Sequence, residues 1–215
     1  MWLIISLLIL FPTSILALVR YNEVDAQFRP FFLYVLYLLC GGVFISLTHN
    51  TLLFLNAGVM FSYVLAATFF YMQGFFVNKK TTLWSMGGVL SIIWVFECIQ
   101  KPSVLTFEGQ DLMPYSQAAL SLFIIICSIQ NINRLLFDNE RSLFQNSQLL
   151  IGLGFTSIYG VLSFVSISAI INNSLNIIHY NNFINIFIGA NTISSILFGF
   201  AVLWIPKKKN FILPL

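Results

Sequence analysis

Charged side chains are scarce in this sequence. Asp, Glu, Lys and Arg make up only 8% of the 215 residues, whereas 59% are hydrophobic and 16% are aromatic. A soluble globular domain is about one-quarter charged, so this chain has too few hydrated groups to cover its surface in water. The composition therefore predicts an integral membrane protein with a single domain over residues 1–215. The net charge of +3 gives no reason to expect a nucleic-acid partner.

Cysteine and histidine are also rare, with three and two copies. Cys40, Cys98 and Cys127 are odd in number and show no CxxC spacing, so we predict neither a disulfide framework nor a metal site. The sequence contains no GxSxG, no HExxH and no Gly-rich phosphate loop. These absences predict a protein that is not an enzyme and that holds no cofactor.

Long hydrophobic runs are abundant. A helix that spans a membrane needs roughly 17–25 predominantly apolar residues, because the hydrocarbon layer is about 30 Å thick and each residue rises about 1.5 Å. The predicted fold is therefore an all-α polytopic membrane protein with seven transmembrane helices. The predicted spans are Trp2–Val19, Phe31–Thr48, Leu52–Phe76, Leu83–Ile99, Tyr115–Leu136, Gln148–Ile171 and Phe183–Ile205.

Lysine and arginine are distributed unevenly between the two sides of this arrangement. Nine of the ten lie on one side, and only Lys101 lies on the other. Short cytoplasmic loops carry the excess of Lys and Arg, which predicts an N-terminus outside and a C-terminus inside. Because no basic residue precedes the first run, we expect that run to be a retained helix and not a cleaved signal peptide.

The loops that follow the first and the fifth run resemble each other. RYNEVDAQFR and RLLFDNER both place two acidic residues between two arginines, and His49 and His179 precede the third and the seventh run. One interpretation is a parallel repeat of three helices, a linker helix and three helices (3+1+3). The other is that the positive-inside bias makes inner loops look alike. That bias explains the basic residues but not the paired histidines.

Small and hydroxyl residues lie on one face of the sixth run, and asparagines occur within the third and the seventh. Small residues four positions apart allow helices to approach closely, so we expect this face to pack against neighbours; a hydroxyl-lined permeation path is the alternative. The asparagine amides are expected to bridge helices. The packing residues are Gly152, Thr156, Gly160 and Ser163, and the bridging residues are Asn56 and Asn191.

Glu97 is the only acidic residue inside a hydrophobic run. The helical wheel places it away from the small residues of that run, and Lys101 follows at i+4, the favourable order for a Glu–Lys pair. We therefore expect Glu97 to reach outward to the membrane surface. The alternative is an outward ligand site, formed with His49 and His179, that senses protons, a cation or a small ligand.

The hydropathy pattern of the whole chain, including FRPFFLYVLYLL, NTLLFLNAGVMFSYVL and the basic tail PKKK, resembles one group of small seven-helix bacterial membrane proteins. Members of that group serve as, or accompany, sensory input modules of histidine kinases. The resemblance implies a non-enzymatic receptor or accessory subunit in the bacterial cytoplasmic (inner) membrane.

Such a subunit would act through a membrane protein partner or a second copy of itself, within the lipid bilayer. Two other functions remain open. One is a small transporter or channel for an uncharged or weakly charged solute. The other is an assembly component of a larger membrane complex.

Overall fold

A computed structural model describes residues 2–48, 50–74, 80–106, 112–138, 146–172 and 177–207. Within these ranges the chain forms eight α-helices and two short 3-10 helices. The α-helices are α1 (Trp2–Arg20), α2 (Arg29–Thr48), α3 (Thr51–Ala57), α4 (Val59–Met72), α5 (Lys80–Gln100), α6 (Pro114–Asp138), α7 (Ser147–Asn172) and α8 (Ile177–Trp204); the 3-10 helices are Ala26–Phe28 and Pro102–Leu105.

Five helices in the described part of the chain are long and apolar enough to cross a membrane. They are α2, α5, α6, α7 and α8, and the bent pair α3–α4 makes a sixth if it counts as one span. The apolar part of α1 is shorter, over Ile5–Arg20. The all-helical fold is therefore confirmed, and the long apolar helices fit an integral membrane protein. The count of seven spans and the sides of the termini stay predictions.

The predicted third span, Leu52–Phe76, is not one continuous helix. It bends by 55° between α3 and α4, at Gly58. A Cβ at Gly58 would collide with the Tyr37 hydroxyl and would lie 2.8 Å from the carbonyl oxygen of Phe54. Glycine is therefore required by the close approach of a neighbouring ring.

Side chains from other helices satisfy the carbonyl groups that precede this bend. The Gln117 amide donates to the carbonyl of Leu55 at 2.7 Å, and the Trp94 indole donates to the carbonyl of Asn56 at 2.9 Å. A buried carbonyl without a donor is costly, so these two bonds stabilise the broken span.

Six helices in the described part of the chain form a closed ring, and α5 lies outside it. Around the ring α1 contacts α2, α2 contacts α4, α4 contacts α6, α6 contacts α7, α7 contacts α8, and α8 contacts α1. Helix α5 packs against α4 and α6, and it is the least buried of the long helices described. The ring therefore encloses the core, and α5 leaves most of its surface for lipid.

Phenylalanines from four helices fill the centre of the ring. Phe31, Phe69, Phe155 and Phe198 are each 0% exposed. The ring centroids of Phe31 and Phe198 are 5.3 Å apart, and those of Phe155 and Phe198 are 5.6 Å apart, both in edge-to-face geometry. Such pairs add to the free energy gained by burial. We call these four rings the aromatic centre.

Arg20, the last residue of α1, joins that helix to the end of α8. Its guanidinium donates to the carbonyl oxygens of Val202, Leu203 and Ile205, the last two at 3.0 and 2.5 Å. The final carbonyls of a helix have no donor within the helix, and a cation there also interacts favourably with the helix dipole. Arg20 therefore stabilises the closure of the ring between α8 and α1.

Replacement of Arg20 by Gln is expected to lower the free energy of unfolding by about 1.5–3 kcal/mol, because hydrogen bonds from a charged donor are lost. Chemical unfolding in detergent, followed by circular dichroism, measures this loss. The control is Glu23→Gln.

Glu23 forms an exposed ion pair with Lys207 at 2.9 Å, so Glu23→Gln is expected to change stability little. The hydrogen bond and the charge of Lys207 lower the pKa of the Glu23 carboxyl. The contribution of this pair is therefore present at neutral pH and disappears as the pH falls through the lowered pKa. An equal loss of stability in both variants would contradict the role given to Arg20.

Candidate functional site

Hydroxyl and amide groups from several helices meet inside the ring. They line a cavity of about 30 Å³ between α2, α3, α4, α6, α7 and α8. A water molecule needs about 10–15 Å³ of such space, so the cavity has room for two or three waters. We call the polar side chains that line this cavity the interior polar cluster: Tyr34, Tyr37, Ser62, Gln117, Tyr159 and Asn191.

The tyrosine hydroxyls are the centre of this cluster. The Tyr34 and Tyr159 hydroxyl oxygens are 3.1 Å apart and share a hydrogen bond. The Ser62 hydroxyl lies near the Tyr37 and Tyr159 hydroxyls. Tyr34 and Tyr159 are only 1% and 3% exposed. Because a hydroxyl both donates and accepts, the cluster suits a small neutral molecule with polar groups of either kind.

A row of buried polar side chains continues from this cluster along α6. At 100° per residue, Gln117, Ser121, Ser128 and Asn131 share one face of the helix, and each is at most 2% exposed. In the part of the chain that the structure describes, the Ser121 hydroxyl, the Ser128 hydroxyl and the Asn131 amide nitrogen have no hydrogen-bond partner. This polar face of α6 extends over about 21 Å at 1.5 Å per residue, which is most of the thickness of a hydrocarbon layer.

Glu97 lies inside the protein, and it holds the start of α6. Its side chain is 6% exposed, and its two carboxylate oxygens accept hydrogen bonds from the backbone N–H groups of Tyr115 and Ser116 at 2.8 and 2.9 Å. The Asn56 amide oxygen accepts from the N–H of Met113 at 3.0 Å. Two helices thus supply acceptors for the start of α6 and the residue before it, and the helix dipole favours negative charge there.

The predicted outward orientation of Glu97, beside Lys101, is wrong. The first N–H groups of a helix have no acceptor within the helix, and those of α6 are buried against α5. Glu97 satisfies them, and it shares its buried face of α5 with Leu90. The helical wheel placed Glu97 away from the small residues of that run. It did not show that the face turns toward the bundle.

An open cavity of about 200 Å³ adjoins Glu97 at this end of the bundle. Gln100, Lys101 and Tyr115 also line it. His49 and the side chain of His179 lie outside the part of the chain that the structure describes. An outward ligand site formed by Glu97 with the two histidines therefore stays a prediction.

The other predicted residues occupy different parts of the bundle. A Cβ on Gly152 would be 3.0 Å from Ile132 of α6, whereas a Cβ on Gly160 would meet no described atom within 4 Å. The Thr156 and Ser163 hydroxyls donate to carbonyls of their own helix. Asn56 links α3 to the chain before α6. Asn191 lines the cavity of the interior polar cluster.

Sequence reasoning did not identify the pair Tyr34–Tyr159 or the polar face of α6. The polar face had a visible signal, because Gln117, Ser121 and Ser128 recur at helical spacing within one hydrophobic run. The tyrosine pair had none, since its members are 125 positions apart.

Within the described ranges, no three His, Cys, Asp or Glu side chains lie close enough together to hold a metal ion. Comparisons of this chain with models of protein families, with curated proteins and with solved structures found no match. Function is therefore argued from the geometry of the interior.

Proposed function

We propose that this chain is a seven-span membrane protein that passes small uncharged polar solutes between two three-span halves. One half is α1 to α4, with the bent pair as a single span, and the other is α6 to α8. The observation that carries the proposal is the interior polar cluster, because side chains from both halves line its cavity. The polar face of α6 extends the same chemistry along the bundle.

The order of the helices in the ring supports a 3+1+3 arrangement. The last helix of each half contacts the first helix of the other half, through α4–α6 and α8–α1. Helix α5 lies outside the ring, as expected of a linker that reverses direction between parallel halves. In many transporters a broken helix lines a binding site at the interface between two repeats. The α3–α4 pair, which bends at Gly58, is a broken helix of this kind.

Seven spans follow if α1 and the bent pair each cross the membrane. Helix α1 has 19 residues, which corresponds to about 28 Å at 1.5 Å per residue and matches the hydrocarbon layer. With the basic loops inside, the N-terminus is outside and the C-terminus is in the cytoplasm. We place the protein in the bacterial cytoplasmic membrane, in keeping with the resemblance of its hydropathy pattern.

The chemistry of the cavity favours an uncharged solute. The described residues that line it include hydroxyls and amides but no carboxylate, ammonium or guanidinium group. A charged solute would lose its hydration there without an opposite charge to compensate. The aromatic centre closes the bundle beside the cavity, so passage requires a second conformation in which the halves shift relative to each other.

Uptake by proteoliposomes tests this function, with glycerol and urea as the probe solutes. Stopped-flow light scattering is expected to show faster entry of at least one probe than in protein-free liposomes. Tyr159→Phe removes one hydroxyl at nearly constant volume and is expected to slow entry about fivefold, the effect of one hydrogen bond on the barrier. Tyr115→Phe is the matched control, because Tyr115 is 54% exposed and is not among the residues that line this cavity.

Entry no faster than in empty liposomes, with the protein shown to be folded, would contradict transport of these solutes. Equal slowing by Tyr159→Phe and Tyr115→Phe would contradict the assignment of the path to the interior polar cluster.

A receptor or accessory subunit is the second candidate function. The cavity lined by Glu97, Gln100 and Lys101 favours it, because opposite charges border a space large enough for a small ligand at the predicted outer face. Purification in mild detergent discriminates between the candidates. A stoichiometric membrane protein partner supports the receptor or an assembly role, whereas a monomer or homo-oligomer that speeds solute entry supports the transporter.

A further inference from the structure

A groove opens between α4 and α5 on the outside of the ring. It has a volume of about 310 Å³, and Val64, Ala67 and Leu83 are among the residues that line it. The Tyr63 hydroxyl donates to the carbonyl of Leu83 at 2.6 Å and links the two helices. The groove extends from Tyr63 to Tyr71, about 12 Å along α4 at 1.5 Å per residue.

The charged group among the described residues that line the groove lies at the end near Tyr71. Lys80, the first residue of α5, is exposed there, and its ammonium nitrogen lies 5.5 Å from the centroid of the Tyr71 ring. Trp84 lies one turn further along α5 and is 81% exposed. Indole and phenol rings favour the boundary between lipid and water, so this end of the groove is expected at the level of the lipid headgroups.

We propose that the groove binds an anionic phospholipid, with one acyl chain along the groove and the phosphate at Lys80. In a membrane some hydrocarbon chain must cover an apolar groove, so the headgroup decides which lipid is preferred. The described residues that line the groove include one cation and no carboxylate, which complements a negative headgroup. Basic pockets between transmembrane helices on the cytoplasmic side bind anionic headgroups in other proteins.

The lipid lies against both α4 and α5. It therefore stabilises the contact between the ring and its outer helix. This inference rests on the basic side of the protein facing the cytoplasm, and it does not depend on transport.

Native mass spectrometry of the full chain tests the site, with phosphatidylglycerol and phosphatidylcholine of equal chain length as probes. Phosphatidylglycerol is expected to bind about fivefold more tightly, the usual contribution of one lysine near a membrane surface. Lys80→Gln is expected to remove this preference. Val64→Trp fills the groove from an exposed position and is expected to remove the first bound lipid of either kind. Lys101→Gln, at the opposite end of α5, is the control.

An unchanged preference in Lys80→Gln would overturn the headgroup assignment. An unchanged number of bound lipids in Val64→Trp would overturn the groove as the lipid site. A dimer peak that disappears in Val64→Trp would also overturn it, because a second copy of the chain would then occupy the groove. The lipid-binding measurements on both variants do not depend on solute transport. A failure of the proposed lipid site can therefore be distinguished from a failure of the proposed transport.

Discussion

Glu97→Ala is expected to lower the free energy of unfolding by about 2–4 kcal/mol. The substitution leaves the N–H groups of Tyr115 and Ser116 without their acceptor, and an unsatisfied buried polar group costs about 1–3 kcal/mol. The loss also removes the negative charge that the N-terminal dipole of α6 favours.

Unfolding in mixed detergent micelles, followed by circular dichroism, measures this effect, and hydrogen exchange of the amides of Tyr115 and Ser116 locates it. Glu97→Gln retains one acceptor oxygen and is expected to lose less stability than Glu97→Ala. Lys101→Ala is the control, because Lys101 is exposed and its bond to the Glu97 carbonyl comes from the backbone N–H, which alanine retains. If Lys101→Ala destabilises the protein as much as Glu97→Ala, the outward pair expected from the sequence would be the better description.

The difference between that expectation and the structure has a definite physical origin. A helical wheel ranks the faces of one helix relative to one another, and it correctly separated Glu97 from the small residues of α5. It contains no information about which face turns inward, since neighbouring helices decide this. In the structure the first turn of α6 lies beside α5, and Glu97 accepts from two backbone N–H groups there.

The helices themselves were predictable because hydrophobic length is a local property. The bend at Gly58 was not, since glycine is tolerated inside membrane helices and no proline marks the break. The Tyr37 hydroxyl of α2 is what requires glycine there, and Gln117 and Trp94 donate to the carbonyls that precede the bend. These contacts join positions far apart in the sequence, as does the pair of tyrosines in the interior polar cluster.

Gly154→Ala is the second substitution with a large expected effect on stability, and Gly160→Ala on the same helix is its matched control. An added Cβ would lie 2.8 Å from Cδ1 and 2.9 Å from Cζ of the Phe198 ring. Phe198 is held by its edge-to-face contacts with Phe31 and Phe155, so the ring has little freedom to move aside. Overpacking of this kind costs about 1–3 kcal/mol, and Gly154→Ala is expected to lower the free energy of unfolding by that amount.

Gly160→Ala, six residues further along α7, is expected to have the opposite sign. A Cβ at Gly160 would meet no described atom within 4 Å, and alanine is favoured over glycine within a helix by up to about 1 kcal/mol. Unfolding of the two variants in the same detergent therefore compares steric cost with helix propensity. If Gly160→Ala is destabilised as much as Gly154→Ala, both positions lie at tight helix contacts, as the small-residue pattern of the sequence indicates for Gly160. If only Gly154→Ala is destabilised, the close approach is specific to α8 and the aromatic centre.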